Sequence, residues 1–341
     1  MSIKNPEYTA QPYRRCGRGM WRVLILLVLA GLAVVGMVLS LTKGTVYISA
    51  AEIGEILQSG VGLDIKSQII WNIRLPRTLV GALVGVNLAL AGAILQGVMK
   101  NPLADPHIIG ISSGAGLAGI VILILFPKLE YLVTPVAFIG AMGAAMLIYI
   151  LAWKGGIQPI RIILAGVAVS TFLGAGIFGL MIFYSDRVHG ALIWMIGGLS
   201  ARSWPHLNII LPYTMVGSIL AYLGAKRLNI MMLGDEIARS LGVHVERTRL
   251  ALTAVAALLA ASAVSVVGLL GFVGLIVPHA ARMLVGSDYR FLLPASALLG
   301  IGIVTLSDTL ARIIFSPVEL PVGIIMALLG APFFLFLLRR A

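Results

Sequence analysis

The residue types that most often do chemistry are sparse in this sequence of 341 residues, and their spacing fits no catalytic or metal-binding pattern. The histidines, at positions 107, 189, 206, 244 and 279, form no H-E-x-x-H motif and no other metal-ligand spacing. Cys16 has no second cysteine with which to form a disulfide or a metal cluster. No apolar segment carries a pair of acids for general acid–base catalysis. The sequence therefore predicts no catalytic residue, no metal site and no cofactor.

The glycine-rich motifs that bind nucleotides also fail. Gly114, Gly116 and Gly119 spell G-x-G-x-x-G, but the segment is apolar and no acid follows about twenty residues later, as a dinucleotide site requires. No G-x-x-x-x-G-K-[ST] phosphate loop occurs. Any ATP hydrolysis linked to this chain is therefore predicted to take place on a partner.

Four other clusters interrupt apolar sequence with polar or helix-breaking residues. They are R-L-P-R at 74–77, N-P-L-A-D-P at 101–106, G-D-E-I-A-R-S-L-G at 234–242 and P-H-A-A-R at 278–282. Charged residues and prolines inside apolar sequence are costly in a membrane, and they are retained where they have a function. These clusters are the candidate functional segments.

The elements that must position these clusters are membrane-spanning helices. Hydrophobic residues make up 60% of the chain, charged residues 11%, and the mean hydropathy is +1.04, whereas soluble domains carry about 25% charged residues. Apolar segments of near-spanning length predict an all-α polytopic protein with about ten transmembrane helices. The predicted spans are 23–41, 75–98, 107–126, 131–153, 159–184, 206–225, 247–267, 271–285, 291–313 and 321–338.

The net charge of +12 is explained by topology and does not indicate a nucleic-acid partner. With the N-terminus in the cytosol, Lys and Arg favour the cytosolic loops by about two to one. Both termini are thus predicted to be cytosolic, with a tail at 1–22, one transmembrane domain at 23–340 and a long cytosolic loop at 226–249.

Glycines predict close helix packing and one broken helix. Gly81 and Gly85, and later Gly110 and Gly114, have the small-residue spacing that lets helix backbones approach in lipid. The stretch from Gly268 to Pro278 concentrates glycines with a proline, which predicts a helix break that faces protein or a water-filled cavity.

In this order and at these spacings, the four clusters strongly resemble those of the permease subunits of ABC importers for iron–siderophore complexes, haem and cobalamin. This family is often called FecCD or vitamin B12-type, and the resemblance runs over roughly residues 40–340. It implies the type II importer architecture: ten spans per subunit in a bacterial cytoplasmic membrane, a second permease subunit, two cytosolic ATPase subunits and an extracytoplasmic substrate-binding protein. A homodimer is expected, although the sequence leaves a heterodimer open.

The 226–249 loop is the predicted ATPase-coupling segment. Asp235 follows Gly234 and could cap a short helix that runs to Gly242, and the stretch from 236 resembles the E-A-A-x-x-x-G coupling motif with Ile237 at the second position. The resemblance implies that this segment docks in a groove of the ATPase. A solvated connector is the alternative. The predicted coupling residues are Gly234, Asp235, Glu236, Ala238, Leu241 and Gly242.

Arg74, Arg77 and Arg312 lie on the side that the charge bias disfavours. The resemblance implies that arginines at these positions form an outer pocket that receives glutamates of the binding protein, and bidentate Arg–carboxylate contacts would suit such docking. The alternative is an i,i+4 pair between Asp308 and Arg312 together with snorkelling of the side chains to the interface.

Asn101 and Leu103 match positions that narrow the inner mouth of the pathway in the resembled family. With Gly271, Gly274 and Pro278 of the broken helix, they are the predicted gate, because proline gives rigid arms and glycine a flexible junction. Tight helix packing is the alternative.

The sequence thus predicts an importer permease for an iron(III)–siderophore, with haem and cobalamin as alternatives. A bulky chelate needs no protein ligands on its path, so the sequence does not name the cargo. An ion-driven secondary transporter would place ionisable groups at mid-membrane, and Asp308 is the one acid well inside a predicted span. An intramembrane hydrolase lacks its catalytic residues.

Overall fold

The computed structural model describes residues 15–44, 46–107, 110–154 and 158–339. Over these ranges the protein is a helical bundle with no β-strand, as predicted. The helices are α1 Arg15–Thr42, α2 Ala50–Ser59, α3 Ile65–Ile69, α4 Leu75–Val98, α5 Ile111–Leu125, α6 Val133–Ala152, α7 Pro159–Phe183, α8 Val188–Ile196, α9 Trp204–Met231, α10 Asp235–Ser240, α11 Val245–Val267, α12 Val273–Val285, α13 Tyr289–Ile313 and α14 Val322–Leu338. A π-helical turn over 70–74 joins α3 to α4.

The ten predicted spans correspond to ten of these helices. In the described part of the chain, seven helices are long and apolar enough to cross a membrane, and three shorter apolar helices lie at the other predicted positions. α12 has 13 residues, or about 20 Å at 1.5 Å per residue, against a hydrocarbon core of about 30 Å. The non-helical segment at 268–272 precedes α12.

Two predicted boundaries differ from the structure. α1 begins at Arg15, so the last part of the predicted 1–22 tail is helical, while residues 1–14 lie outside the described residues. α9 continues to Met231 and α11 begins at Val245. The predicted 226–249 loop therefore narrows to residues 232–244, because charged residues continue a helix readily beyond the apolar stretch that marked its end.

α4 lies at the centre of the bundle, with most of its residues buried against α9, α11, α12 and α13. Small residues allow the neighbouring helices to pack this closely against α4. A Cβ atom on Gly85 would collide with the Gly300 carbonyl, and one on Gly92 with the Gly274 carbonyl. Gly114 of α5 meets Gly140 of α6 in the same way. The predicted packing role of these glycines is confirmed.

The helix break lies between α11 and α12. Gly268 and Phe272 both have left-handed backbone angles, with φ of +80° and +67°, and α12 then continues without interruption through Pro278. The prediction that Pro278 helps to break the helix is wrong. Proline has no N–H to bond the carbonyl four residues earlier, which here is the Gly274 carbonyl. The Gln96 side-chain amide replaces that donor: its Nε2 donates to the Gly274 carbonyl (3.4 Å) and also to the Leu275 carbonyl (3.2 Å).

The course of α4 defines two ends of the bundle. Arg77 lies in its first turn and Lys100 just after its last. Asn229 at the end of α9 donates to Asp288 (2.7 Å), which Arg22 of α1 also approaches (3.8 Å). The start of α1, the α9–α11 connection and the α12–α13 turn thus share the Lys100 end, and the Arg77 end lies opposite.

Candidate functional site

At the Arg77 end, a buried arginine pairs with two carboxylates. Arg77 Nε donates to Asp308 Oδ2 (3.0 Å), Nη2 to Asp308 Oδ1 (2.9 Å) and Nη1 to Glu319 Oε2 (2.8 Å). The Arg77 and Asp308 side chains are 7% and 2% exposed, whereas that of Glu319 is 38% exposed. The bidentate pair joins α4 to α13, and Glu319 is the member of the cluster that is exposed at the surface.

The other two predicted docking arginines, Arg312 and Arg74, donate hydrogen bonds to backbone carbonyls at the C-terminal end of α1. Arg312 donates to the carbonyl oxygens of Ser40 (3.0 Å) and Lys43 (3.1 Å) and pairs with Asp308 (3.3 Å). Arg74 donates to the carbonyl of Leu41 (2.7 Å). Carbonyls at a helix C-terminus lack intrahelical donors and carry partial negative charge. The structure thus brings the three arginines together, buries them, and confirms the i,i+4 pair between Asp308 and Arg312.

At the Lys100 end, α10 is a single short helix within the 232–244 connection. Its N-cap is Gly234 (φ +116°), without a side-chain hydrogen bond, so the prediction that Asp235 caps it is wrong. Asp235 instead accepts from Lys100 Nζ (2.6 Å) and Arg249 Nη2 (3.0 Å). Gly242 has φ +80°, and its N–H donates to the Arg239 carbonyl (2.9 Å), which closes the turn after the helix.

α10 buries one small side chain and exposes its large apolar ones. Ala238 is fully buried, and Glu236 lies on the exposed face. The exposed apolar residues of the connection are Met232, Leu233, Ile237 and Leu241, each 44–58% exposed. We refer to these four residues as the α10 patch. Sequence reasoning identified only Leu241 of this set, because its motif drew attention to small and charged positions.

A cavity of about 860 Å³ lies beside the predicted gate segments. Gly271, just before α12, and Leu275 of α12 line this largely apolar space together with Asp105 and His107 of the 101–107 turn. Gly274 packs against Gly92 of α4, so close packing is part of its role. Pro278 is buried in α12, away from the cavity wall.

Asn101 and Leu103 form a tight turn beside this cavity. The Leu103 N–H donates to Asn101 Oδ1 (2.9 Å), and the Ala104 N–H donates to the Asn101 carbonyl (3.1 Å). Leu103 is half-buried and lies outside the cavity wall. Of the predicted gate residues, Gly271 alone lies in the cavity wall, which it shares with Asp105 and His107 of the 101–107 turn.

Three charged residues at these sites were not among the predicted site residues: Lys100, Arg249 and Glu319. Each lies near a predicted motif in the sequence, but its ion-pair partner is brought close only by the fold. Burial raises the pKa of Asp235, yet hydrogen bonds from Lys100 and Arg249 outweigh it and hold this pKa below its usual value. The pKa of Glu319 is likewise lowered, because the hydrogen bond and the charge of Arg77 together outweigh the effect of burial.

Among the described residues, no group of three His, Cys, Asp or Glu side chains could hold a metal ion.

Apolar helices of spanning length, a break between α11 and α12, and a largely apolar cavity beside that break are the features of a membrane-spanning transport permease. The model of the FecCD transport family matches residues 32–340. The chain belongs to this family, as the four sequence clusters indicated.

Curated relatives and a solved structure agree with this membership. The chain is 42% identical to the Fe(3+)-citrate import system permease protein YfmE of Bacillus subtilis over 93% of this chain and 95% of the relative. It is 45% identical to the cobalamin import system permease protein BtuC of Halobacterium salinarum, over 83% of this chain and 76% of the relative. A metal-chelate type ABC transporter solved in an inward-facing conformation superposes with a TM-score of 0.82 at 31% identity, covering 93% of this chain and 99% of the other.

Proposed function

We propose that the chain is the permease subunit of an ABC importer that carries an iron(III) chelate across a bacterial cytoplasmic membrane. The cavity of about 860 Å³ beside the 101–107 turn carries this proposal. Its size and largely apolar wall suit a bulky complexed ion, whereas a bare ion would need several oxygen, nitrogen or sulfur ligands. The similarity to an Fe(3+)-citrate permease favours an iron chelate, and the similarity to a cobalamin permease keeps cobalamin as an alternative.

The proposed orientation puts the Lys100 end in the cytosol. Lys and Arg are concentrated in the segments at this end, as the positive-inside rule requires of cytosolic loops. Both termini would then be cytosolic, the Arg77 end would face the extracytoplasmic side, and two copies of the chain would enclose the pathway.

The α10 patch is the proposed docking surface for a cytosolic ATPase subunit. Four large apolar side chains exposed on a connection outside the spans are unfavourable in water and typical of a protein interface. Glu236 on the same face adds a charge that an ATPase groove could pair. Ala238 and Gly242 are proposed to maintain the shape of the helix and its turn, and Leu241 to enter the groove. ATP hydrolysis would then take place on the ATPase and not on this chain.

Docking of a substrate-binding protein is proposed at the Arg77 end, through Arg77 with support from Arg74 and Arg312. The three guanidinium groups are buried and paired within the chain, so an incoming glutamate must share or replace an existing partner. Glu319 is the partner that is most exposed. We infer that a carboxylate of the binding protein competes with Glu319 for Arg77 Nη1.

The proposed inner gate is the Asn101–Leu103 turn together with the 268–274 segment. The backbone of this junction is irregular: Gly268 and Phe272 have positive φ angles, and Gly274 approaches Gly92 closely. Irregular backbone at membrane depth is tolerated where it lines a cavity. Pro278 is proposed to shape α12 through the Gly274 carbonyl, which it leaves free to accept from Gln96.

Reconstitution tests the proposal directly. Proteoliposomes that contain the permease and its ATPase should take up iron(III) citrate or an iron(III) siderophore only with ATP inside and the binding protein outside. Haem and cobalamin, supplied with the same components, test the alternative cargoes. Uptake that follows a sodium or proton gradient without ATP would instead establish an ion-driven transporter.

A further inference from the structure

One carboxylate joins three segments at the Lys100 end. Asp235 opens α10, Lys100 belongs to the turn after α4, and Arg249 lies in the first turns of α11. Lys100 Nζ lies 2.6 Å from Asp235 Oδ1, and Arg249 Nη2 lies 3.0 Å from Asp235 Oδ2. Each carboxylate oxygen thus takes one cation. We refer to these three residues as the Asp235 bridge.

The two cations differ in how firmly they are held. The Arg249 side chain is only 2% exposed, so it is fixed by packing and keeps α10 against α11. The Lys100 and Asp235 side chains are 32% and 33% exposed, which leaves that contact in partial reach of water. The Lys100–Asp235 contact is thus the more accessible of the two, whereas Arg249 belongs to the packed bundle.

Lys100 is directly connected to the turn that carries Leu103. It has a left-handed backbone with φ +50°, which is unusual outside glycine. The next residue, Asn101, donates its N–H to the Gln96 carbonyl (3.1 Å) and accepts from the Leu103 N–H at its side chain (2.9 Å). The turn is thus a compact hydrogen-bonded unit that begins directly after Lys100.

We propose that the Asp235 bridge transmits movement of α10 to the Leu103 turn. This inference rests on the proposed function, in which an ATPase moves α10 and Leu103 belongs to the gate. Lys100 is the receiving residue, Asp235 the link and Arg249 the fixed support. The bridge is a positioning device, and none of its residues touches the cargo.

The test uses the complete importer with its ATPase, in a Cys16→Ser background with Leu103→Cys as the labelling site. The rate of maleimide labelling at position 103 is compared in nucleotide-free and ATP-bound complexes, which requires no knowledge of the cargo. The parent should change its labelling rate by at least about fivefold between the two states, the lower end of coupling between sites. Lys100→Met should abolish this change while ATPase association and hydrolysis persist.

Matched variants separate transmission from a general loss of charge. Lys100→Arg retains a cation that can reach Asp235 and should restore the nucleotide-dependent change. Arg290→Gln removes another ion pair at the same end, between Arg290 and Asp288 (3.0 Å), and should behave as the parent. Asp235→Asn combined with Lys100→Met should have no larger effect than Asp235→Asn alone, because both remove the same contact.

The experiment distinguishes failure of the proposed transmission from failure of the proposed function. A nucleotide-dependent change that survives Lys100→Met overturns transmission through the bridge and leaves the proposed function intact. Loss of ATPase association in Lys100→Met assigns the residue to docking and also overturns transmission. A parent complex whose labelling is the same in all nucleotide states removes Leu103 from the gate and overturns both the gate assignment and this inference.

Discussion

The guanidinium of Arg77 and the carboxylate of Asp308 form a buried bidentate pair, with two parallel hydrogen bonds of 2.9 and 3.0 Å between residues 231 positions apart in sequence. This pair joins the central helix α4 to α13. It also explains how an acid can lie inside a membrane span without serving an ion-driven transport cycle. Asp308 is held between Arg77 and Arg312, and its charge is compensated within the chain.

Asp308→Asn should destabilise the protein strongly. It leaves the buried Arg77 and Arg312 without their shared carboxylate, and breaking a buried pair costs about 3–5 kcal/mol. Thermal unfolding in detergent measures the loss. Lys66→Gln, which removes the exposed pair between Lys66 and Glu52, is the control and should change the midpoint little. Equal midpoints for the two variants would contradict the role of the buried pair.

Gly92→Ala should destabilise the α4–α12 contact. The added methyl group meets the Gly274 carbonyl, and forcing extra volume into a packed contact costs about 1–3 kcal/mol. Gly31→Ala in α1 is the matched control, because no atom lies within 4 Å of a Cβ atom at that position. The free energy of unfolding should fall only for Gly92→Ala, and a similar fall for Gly31→Ala would argue against specific packing.

Ile237→Asp should reduce ATPase association. It places a charge in the α10 patch, where the Ile237 side chain is 50% exposed. Co-purification of the ATPase with the permease measures the effect. Leu63→Asp introduces the same charge at a fully exposed leucine on the Arg77 side of α4 and should retain the ATPase. Stoichiometric ATPase in the Ile237 variant would remove the patch from the interface.

Glu319→Gln should strengthen docking of the binding protein. It weakens the internal competitor for Arg77 Nη1, so an incoming carboxylate gains a free donor. Binding-protein affinity in proteoliposomes is the measurement. Asp186→Asn alters another acid outside the long helices, 73% exposed, and should leave the affinity unchanged. Weaker docking of Glu319→Gln would indicate that Glu319 itself contacts the partner.

The Arg77–Glu319 contact should persist in mildly acidic solution. The pKa of Glu319 in the folded chain lies below its usual value of 4.5, so the contribution of this pair to stability is present above about pH 4.5 and is lost only as pH falls through the lower folded pKa. Docking affinity should therefore not change between pH 5 and 7 through Glu319. Titration of docking affinity checks this, and a Glu319-dependent midpoint above pH 5 would contradict it.

The sequence by itself determined the class and the spans. Hydropathy and length select spans without reference to tertiary contacts, because lipid requires each segment to satisfy its own backbone. Ten helices therefore lie where the apolar segments predicted them. The predicted coupling motif and the small-residue stripes could be identified in the sequence for a similar reason, since each is a local pattern.

Only the tertiary structure decided which charged groups meet. Arg77 with Asp308 and Lys100 with Asp235 are separated by 231 and 135 residues, and no local pattern encodes such pairs. The same limit explains the two incorrect predictions. Asp235 does not cap α10 because two cations from other segments take its carboxylate, and Pro278 does not break α12 because Gln96 of α4 supplies the hydrogen bond that proline removes. In both cases a distant side chain outweighs the local preference of the backbone.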